Sequence, residues 1–526
     1  MTQLSYQDLE ALYGPLVSKY DGERNFVSFT AVGELPRDLK IKNKDTVWLA
    51  GGTPYESMFP VQEVDLKIRE NPGSLDDTTP LSNKCSTTKV QMYEPQGSAK
   101  ACLSTAFQYH DAKGLPELLN LTKQIISRMN KPQYENWDTV VTPGSSDSLS
   151  KICQTLLDSD SVILVEEFTY PNIVHWAKFA HSEVVRIKLN VTADRKLQGI
   201  DVEALRDLLA NWVEYHPGKP KPKCMYTIAT GHNPTGLTQS TESRQAIYEI
   251  CCEHNIIIIE DDPYGYLNMT PYDQANPMKN PYIEESYGVE HYCKKILSPS
   301  YMSMDTEGRV LRCETFSKVA APGLRLAFVA GNQFLISKLL KMHYFTTRGT
   351  SGASQAIVTN MLVDMGEQYQ AQHPHEKAPL IDGWVNWCMK VAAEYTHRRN
   401  YMFMYMYEQN VFKKNLVSFI EPSCGMFVTL VINFKPEWNI SETKRIMDYL
   451  YCCLTEEGCS AVLGYKMVVD RDYSMERANF LRFTFAKARD PNVFKIGAER
   501  INAAVERLFE EYNVNEQFTL GPKGII

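Results

Sequence analysis

Ile256-Ile-Ile-Ile-Glu-Asp261-Asp-Pro-Tyr264 is an apolar run that ends in carboxylates and a proline turn. Its isoleucines leave no polar face, so the strand predicted over Ile256–Glu260 is covered on both sides. Strands of that kind build mostly parallel sheets with helices on each face. Similar runs recur outward from it, at Thr139–Thr142, Val162–Val165, Val184–Lys188, Cys224–Ile228, Val310–Thr315 and Leu326–Val329. Helix-period segments separate them between about residues 100 and 330. That alternation is the mark of an α/β domain.

The remainder of the chain reads differently. Residues 268–308 are rich in Pro, Asn, Tyr and Ser without a clear period, which predicts an insertion or a long surface loop. Residues 366–380 read as another loop, and a long helix follows over about 382–410. From about 411 to 513, strands at Phe427–Ile432 and Phe480–Phe485 mix with helices at Ser441–Glu457 and Pro491–Tyr512, which predicts a smaller α+β domain. The first 45 residues are mixed and polar, with turns at Gly22 and Pro36, and read as an arm or a segment of the small domain. The expected division is 1–100 for the arm and part of the smaller domain, 101–380 for the large domain, and 381–526 for a connecting helix and the C-terminal small domain.

Composition narrows the function. With 44% hydrophobic and 22% charged residues, the 526-residue chain is an ordinary globular one. Lys and Arg number 55 against 63 Asp and Glu, a net charge of −8 that argues against nucleic-acid binding. The 13 cysteines are scattered, with no C-x-x-C, which argues against a metal cage or a disulfide framework and predicts a reducing compartment. Met1 to Glu10 lacks the pattern of a signal peptide. The most apolar stretch, Val417 to Phe434, contains Glu421, Pro422, Ser423 and Asn433 and reads as two strands around a turn, not a membrane span. The terminal Gly-Pro-Lys-Gly-Ile-Ile526 carries no lipidation or retention signal. The expected location is the cytoplasm, with no membrane and no metal.

Chemistry gathers just past the strands. Thr315-Phe-Ser317-Lys318-Val-Ala-Ala-Pro-Gly323-Leu-Arg325 sets a lysine among hydroxyls, with an arginine seven residues on. That suits a phosphorylated aldehyde cofactor: Lys318 forms the Schiff base, and Thr315, Ser317 and Arg325 bind the phosphate. Taken singly, Lys318 and Arg325 also read as solvated loop cations. Asp261 lies at a strand end, where it can pair with a protonated ring nitrogen, and Tyr264 can reach a ring hydroxyl. Asp262 reads as part of the polar turn. In His232-Asn233-Pro-Thr-Gly236 the Asn233 amide can donate to a ring oxygen or a substrate carboxylate, although both dipeptides are also plain turn formers. Val140-Val-Thr-Pro-Gly144-Ser145-Ser146 offers an anion site at a helix start, with Ser145 or Ser146 equally readable as an N-cap. Tyr170, in Phe168-Thr-Tyr170-Pro, can stack on a heteroaromatic ring. Arg482, in Phe480-Leu-Arg482-Phe-Thr-Phe485, is an arginine in an alternating strand. It fits a clamp on a substrate α-carboxylate or, alternatively, a structural ion pair.

The order and spacing of these motifs resemble the fold-type I pyridoxal-phosphate aminotransferases of class I/II, from about Leu49 to Phe485. Leu49-Ala-Gly-Gly52-Thr-Pro, Met58-Phe-Pro60, Gln108-Tyr109, Gly114-Leu-Pro-Glu-Leu-Leu119, Glu260-Asp-Asp-Pro-Tyr264 and Cys424-Gly-Met-Phe427 are most similar to the fungal aromatic amino acid and kynurenine/α-aminoadipate branches. The resemblance implies a seven-stranded, mostly parallel sheet flanked by helices, plus a smaller α+β domain. It implies pyridoxal 5′-phosphate on Lys318, with Asp261 on the ring nitrogen, Tyr264 and Asn233 on the ring oxygen, and Tyr170 stacked on the ring. Ser145, Ser146, Thr315, Ser317 and Arg325 hold the phosphate. Arg482 binds the substrate carboxylate, with Gly52 close by. It also implies a homodimer with shared active sites, in which Tyr109 reaches the partner's phosphate.

The implied reaction moves the amino group of an aromatic amino acid (with kynurenine and 2-aminoadipate as further donors) to a 2-oxo acid such as 2-oxoglutarate, in a ping-pong cycle. A pyridoxal-phosphate lyase on the same scaffold, a C–S β-lyase or an aminocyclopropane-carboxylate synthase, shares the cofactor motifs and is the alternative. A transcription regulator with an aminotransferase-like domain needs a basic N-terminal head, and the residues before Leu49 include Asp21, Glu23, Glu34, Asp38 and Asp45.

Overall fold

The seven apolar runs form one sheet, in the order Trp137–Thr142, Ala327–Asn332, Val310–Thr315, Ile257–Asp261, Cys224–Thr227, Val162–Glu166, Glu183–Ile187. Only Ala327–Asn332 runs antiparallel to its neighbours. This computed structural model describes residues 3–24, 35–36, 38–40, 45, 47, 49, 52–76, 84–375 and 377–512. Much of the N-terminal arm, Ala50-Gly51 and the terminal Gly-Pro-Lys-Gly-Ile-Ile526 therefore lie outside the described residues. Ile256, Ile257, Ile258 and Ile259 are all fully buried, as a strand covered on both faces requires. The antiparallel strand has a direct consequence: Val310–Thr315 turns back into Ala327–Asn332, with Phe316 N donating to Leu326 O at 3.1 Å, and Lys318 rides in the connecting loop.

A second sheet, antiparallel, is ordered Val417–Ile420, Phe427–Ile432, Phe480–Thr484, Val462–Leu463. The helices Thr443–Glu456 and Pro491–Glu511 accompany it. The 26-residue helix Asp382–Tyr407 packs against both Gly352–Gln372 and Pro491–Glu511 and links the two parts. Near the N-terminus, the helix Tyr6–Tyr13 starts with a capping box between Ser5 and Asp8 and lies on Gln333–Phe345. Tyr13 Oη donates to Glu307 O at 2.7 Å. The hairpin Glu63–Arg69/Cys85–Gln91 rests on Gly352–Gln372, where Ser86 Oγ donates to Asp364. Among the described residues no helix is long and apolar enough to cross a membrane.

Three expectations need correction. Residues 268–308 lie largely at the surface but are not loop throughout. They hold short helical pieces at Pro281–Glu284, Val289–His291, Tyr292–Ile296 and Tyr301–Ser303, and Tyr282, Tyr292 and Tyr301 are buried. Each phenol is satisfied, by Asn268 O, Tyr266 O and Gln239 Oε1 respectively, which is what lets these three side chains enter the interior. Residues 366–380 are not all loop, because the helix Gly352–Gln372 continues into them. Its last turns are anchored by buried Tyr369, stacked on His373 at 4.1 Å, and Pro374 follows. Asp262 is not a solvated turn residue. It is buried and accepts from Arg312 at 2.7 Å. The same guanidinium meets Glu260 at 3.0 Å and Glu314 at 2.6 Å, and Tyr266 Oη donates to Glu314 at 2.7 Å.

Candidate active site

Loops that follow parallel strands converge at one edge of the sheet, the usual place for a ligand in an α/β fold. A cavity of about 230 Å³ lies there, lined by Ser145, Ser146, Tyr170, Asn233, Asp261, Tyr264, Thr315, Ser317, Lys318 and Arg325. Ile228, Pro263, Pro322 and Phe427 supply apolar wall. Ten of the residues singled out from sequence thus meet in one place.

One end of the cavity is built for an anion. The helix Ser145–Leu156 has Gly144 at its N-cap, with φ +93° and no side-chain cap. Ser145 and Ser146 are therefore not caps, and the first amides of the helix have no intrahelical acceptor. A Cβ at position 144 would lie 2.2 Å from an Arg325 guanidinium nitrogen, so only glycine admits that cation over the helix start. Thr315 Oγ1 donates to Ser317 Oγ at 3.0 Å and accepts from Ser317 N at 3.1 Å, which fixes the hydroxyls beside it.

The other end holds Asp261. Its Oδ2 accepts from Tyr226 Oη at 2.7 Å, while Oδ1 is buried and takes no hydrogen bond among the described residues. Burial pushes this carboxyl up to about 7, the Tyr226 hydroxyl and Lys318 act against that, and Asp262 and Glu166 add to it. Burial pulls the Lys318 amine down; Asp261 opposes, and the cations Arg325 and Arg482 reinforce.

Arg482 stands on the second sheet and donates to Asn233 Oδ1 at 2.6 Å, its guanidinium 4.3 Å from the centre of the Phe427 ring. With its oxygen engaged, the Asn233 amide nitrogen is left to donate elsewhere. No Asp or Glu among the described residues pairs with Arg482, so the alternative of a structural ion pair finds no partner. Burial lowers the Arg482 guanidinium, the cost of a partly buried cation without an anion.

Two nearby groups carry no mark in the sequence. Glu166 accepts from Thr227 Oγ1 at 2.7 Å and Ile228 N at 3.0 Å, and lies 3.0 Å from His232 Nε2, bracing the loop that bears Asn233. Tyr226 sits inside an apolar strand, where a phenol reads as core. Two predicted residues stay away from the cavity within one chain. Tyr109 is 77% exposed, and Gly52 is exposed with open space around its Cα. Tyr170 lines the cavity, with its hydroxyl accepting from Asn172 Nδ2 at 2.8 Å.

A family model for class I and II aminotransferases matches residues 82–501. The chain belongs to the class I and II aminotransferases. This aminotransferase is 36% identical over 516 residues to aromatic amino acid aminotransferase 2 of Saccharomyces cerevisiae, covering 97% of this chain and 98% of that protein. The crystal structure of the aromatic aminotransferase Aro9 from C. albicans matches with a TM-score of 0.83 at 34% identity, over 94% of this chain and 98% of that one. The L-tyrosine:2-oxoglutarate aminotransferase amt1 of Serpula lacrymans is 28% identical over 428 residues, 78% of this chain and 76% of that protein. These relatives are aminotransferases by name, which does not favour the lyase reading. The cofactor of the family is pyridoxal 5′-phosphate, and the cavity fits it: an orphaned carboxylate oxygen at one end and a glycine-gated anion cradle at the other.

Proposed function

We propose that this aminotransferase takes the amino group of an aromatic amino acid and gives it to a 2-oxo acid such as 2-oxoglutarate. The observation that carries the reading is Arg482: a half-buried guanidinium without a carboxylate, hydrogen-bonded to Asn233 at the rim of the cavity that holds Lys318. A planar fork in that place suits the α-carboxylate common to every amino acid and 2-oxo acid. The names of the yeast and Serpula relatives support an aromatic side chain.

The roles follow from position. Lys318 Nζ holds the cofactor covalently and, once released, moves the substrate's α-proton as general base and then acid. Bound there, pyridoxal phosphate supplies the electron sink for charge developing at the α-carbon and stores the amino group between half-reactions. Asp261 Oδ1 keeps the ring nitrogen protonated, Tyr264 and the Asn233 amide hold the ring oxygen, and Tyr170 covers the ring. Ser145, Ser146, Thr315, Ser317 and Arg325 grip the phosphate, and Gly52 comes near the substrate. Residues 101–380 make the cofactor-binding body, and 381–526 with part of 1–100 make the smaller one. The scattered cysteines, with no C-x-x-C, suit a reducing compartment, and the cytoplasm is the proposed location.

A panel of amino donors against 2-oxoglutarate tests the substrate class. Phenylalanine, tyrosine and tryptophan should outrun alanine and aspartate, with kynurenine and 2-aminoadipate as secondary donors; the reverse order would refute the aromatic reading. In the same panel Arg482→Lys should weaken every donor alike, because charge stays but the fork is lost. A loss confined to one side-chain class would move Arg482 into the specificity pocket.

The site is also proposed to be shared in a homodimer, with Tyr109 reaching the partner's phosphate. Its exposure supports this, as does the exposed apolar stretch of Val47, Leu49, Tyr55 and Met58 before it. Lys318→Ala and Tyr109→Glu should each be inactive, the glutamate by repelling the phosphate. Mixed under conditions that exchange subunits, they should regain activity, since one site of each mixed dimer then has both groups intact. Verified exchange without recovery would rule the sharing out.

A further inference from the structure

The strand Cys224–Thr227 brings a phenol to Asp261 that the roles above leave without a task. Tyr226 is fully buried, and its Oη donates to Asp261 Oδ2 at 2.7 Å. The strands are parallel neighbours, with Tyr226 opposite Ile259 and Thr227 opposite Glu260, so Asp261 lies just past the last paired position. On its other side Asp261 still pairs with Cys313, which holds its backbone, while the carboxylate depends on side chains for its orientation. Tyr226 is the one side chain among the described residues that donates to it. The other charged groups acting on it are Asp262 and Glu166, which repel the anion, and Lys318, which attracts it.

A buried carboxylate with two equivalent oxygens is free to rotate between acceptor geometries. Tying Oδ2 to a phenol fixed in the sheet removes that freedom and leaves Oδ1 as the single open acceptor. We propose that Tyr226 is a positioning residue, which anchors Asp261 Oδ2 so that Oδ1 alone meets the ring nitrogen of the cofactor. This rests on the reading of the cavity as the pyridoxal-phosphate site. Removing the hydroxyl leaves Asp261 with neither oxygen satisfied by the protein, and hydrogen bonds to charged groups are the stronger class.

The test compares two ligands on cofactor-free protein: pyridoxal phosphate, and its analogue with C–H in place of the ring nitrogen. The analogue keeps the aldehyde for Lys318 and the phosphate for the anion cradle but offers Asp261 nothing. Tyr226→Phe should weaken pyridoxal phosphate by about ten- to a hundred-fold, the usual range for a hydrogen bond to a charged group, and leave the analogue within about two-fold of wild type. Equal losses for both ligands would make Tyr226 a packing residue and overturn the proposal, as would unchanged binding of pyridoxal phosphate. A double-mutant cycle guards against general damage. In an Asp261→Ala background, adding Tyr226→Phe should change pyridoxal-phosphate affinity by less than about two-fold, because no carboxylate remains to be held; a further large loss would overturn the proposal. Failure of the cofactor reading itself looks different: the wild-type protein would bind neither ligand.

Discussion

Lys318→Ala should abolish turnover, lowering kcat by about 10⁴-fold or more, because one substitution removes both the covalent tether and the general base. The loop between Val310–Thr315 and Ala327–Asn332 carries this lysine into the cavity, and burial favours its neutral, reactive amine. Borohydride reduction of the wild-type protein with pyridoxal phosphate should fix the cofactor to a peptide containing Lys318, and the variant should show no such adduct. A reduced adduct at another lysine, such as Lys341, which donates to Asp21 O at 2.7 Å, would end the assignment.

Asp261→Asn should lower kcat by about 10³-fold, in the range of a lost electrostatic catalytic group, with little change in shape. Near-normal turnover would remove Asp261 from the electron-sink role. A stability measurement separates this from misfolding. Burial pushes the Asp261 carboxyl up to about 7 in the folded protein without cofactor, whereas an unfolded chain releases that proton near pH ~3.9. Between those values the folded chain binds the extra proton, so this group makes the wild type less stable as pH rises through the window. Asparagine has no proton to lose. The thermal midpoint of cofactor-free Asp261→Asn should therefore gain on wild type between about pH 4 and about pH 7. A variant that instead loses ground across that interval would show that the carboxylate is stabilised where it lies.

The sheet was legible because its strands are covered on both faces, so hydrophobic runs such as Ile256 to Ile259 stand out without alternation. The cavity was legible for the same reason in reverse: polar, chemically useful residues follow directly on those runs. What stayed hidden depends on contacts far apart in sequence. Tyr282, Tyr292 and Tyr301 enter the core only because Asn268 O, Tyr266 O and Gln239 Oε1 accept their hydroxyls, partners 14 to 62 residues away. The end of the helix Gly352–Gln372 is polar and exposed, with Tyr369 as its buried anchor, too little for a period to show. Tyr226 and Glu166 act through partners 35 and 66 residues away, Asp261 and His232. Asp262 read as a turn because its partner, Arg312, lies 50 residues away, within the adjacent strand.

Arg312 has a consequence for how this sequence can drift over evolutionary time. Replacing the guanidinium alone strands Glu260, Asp262 and Glu314 in a dry interior, a penalty of about 3–5 kcal/mol for a broken buried pair. Replacing any one carboxylate is milder, since two others still share the cation. Mutational paths through this cluster are thus ordered: the surplus acidic positions can become apolar first, but the last of them and the arginine must leave together, since either charge alone would be buried without a partner.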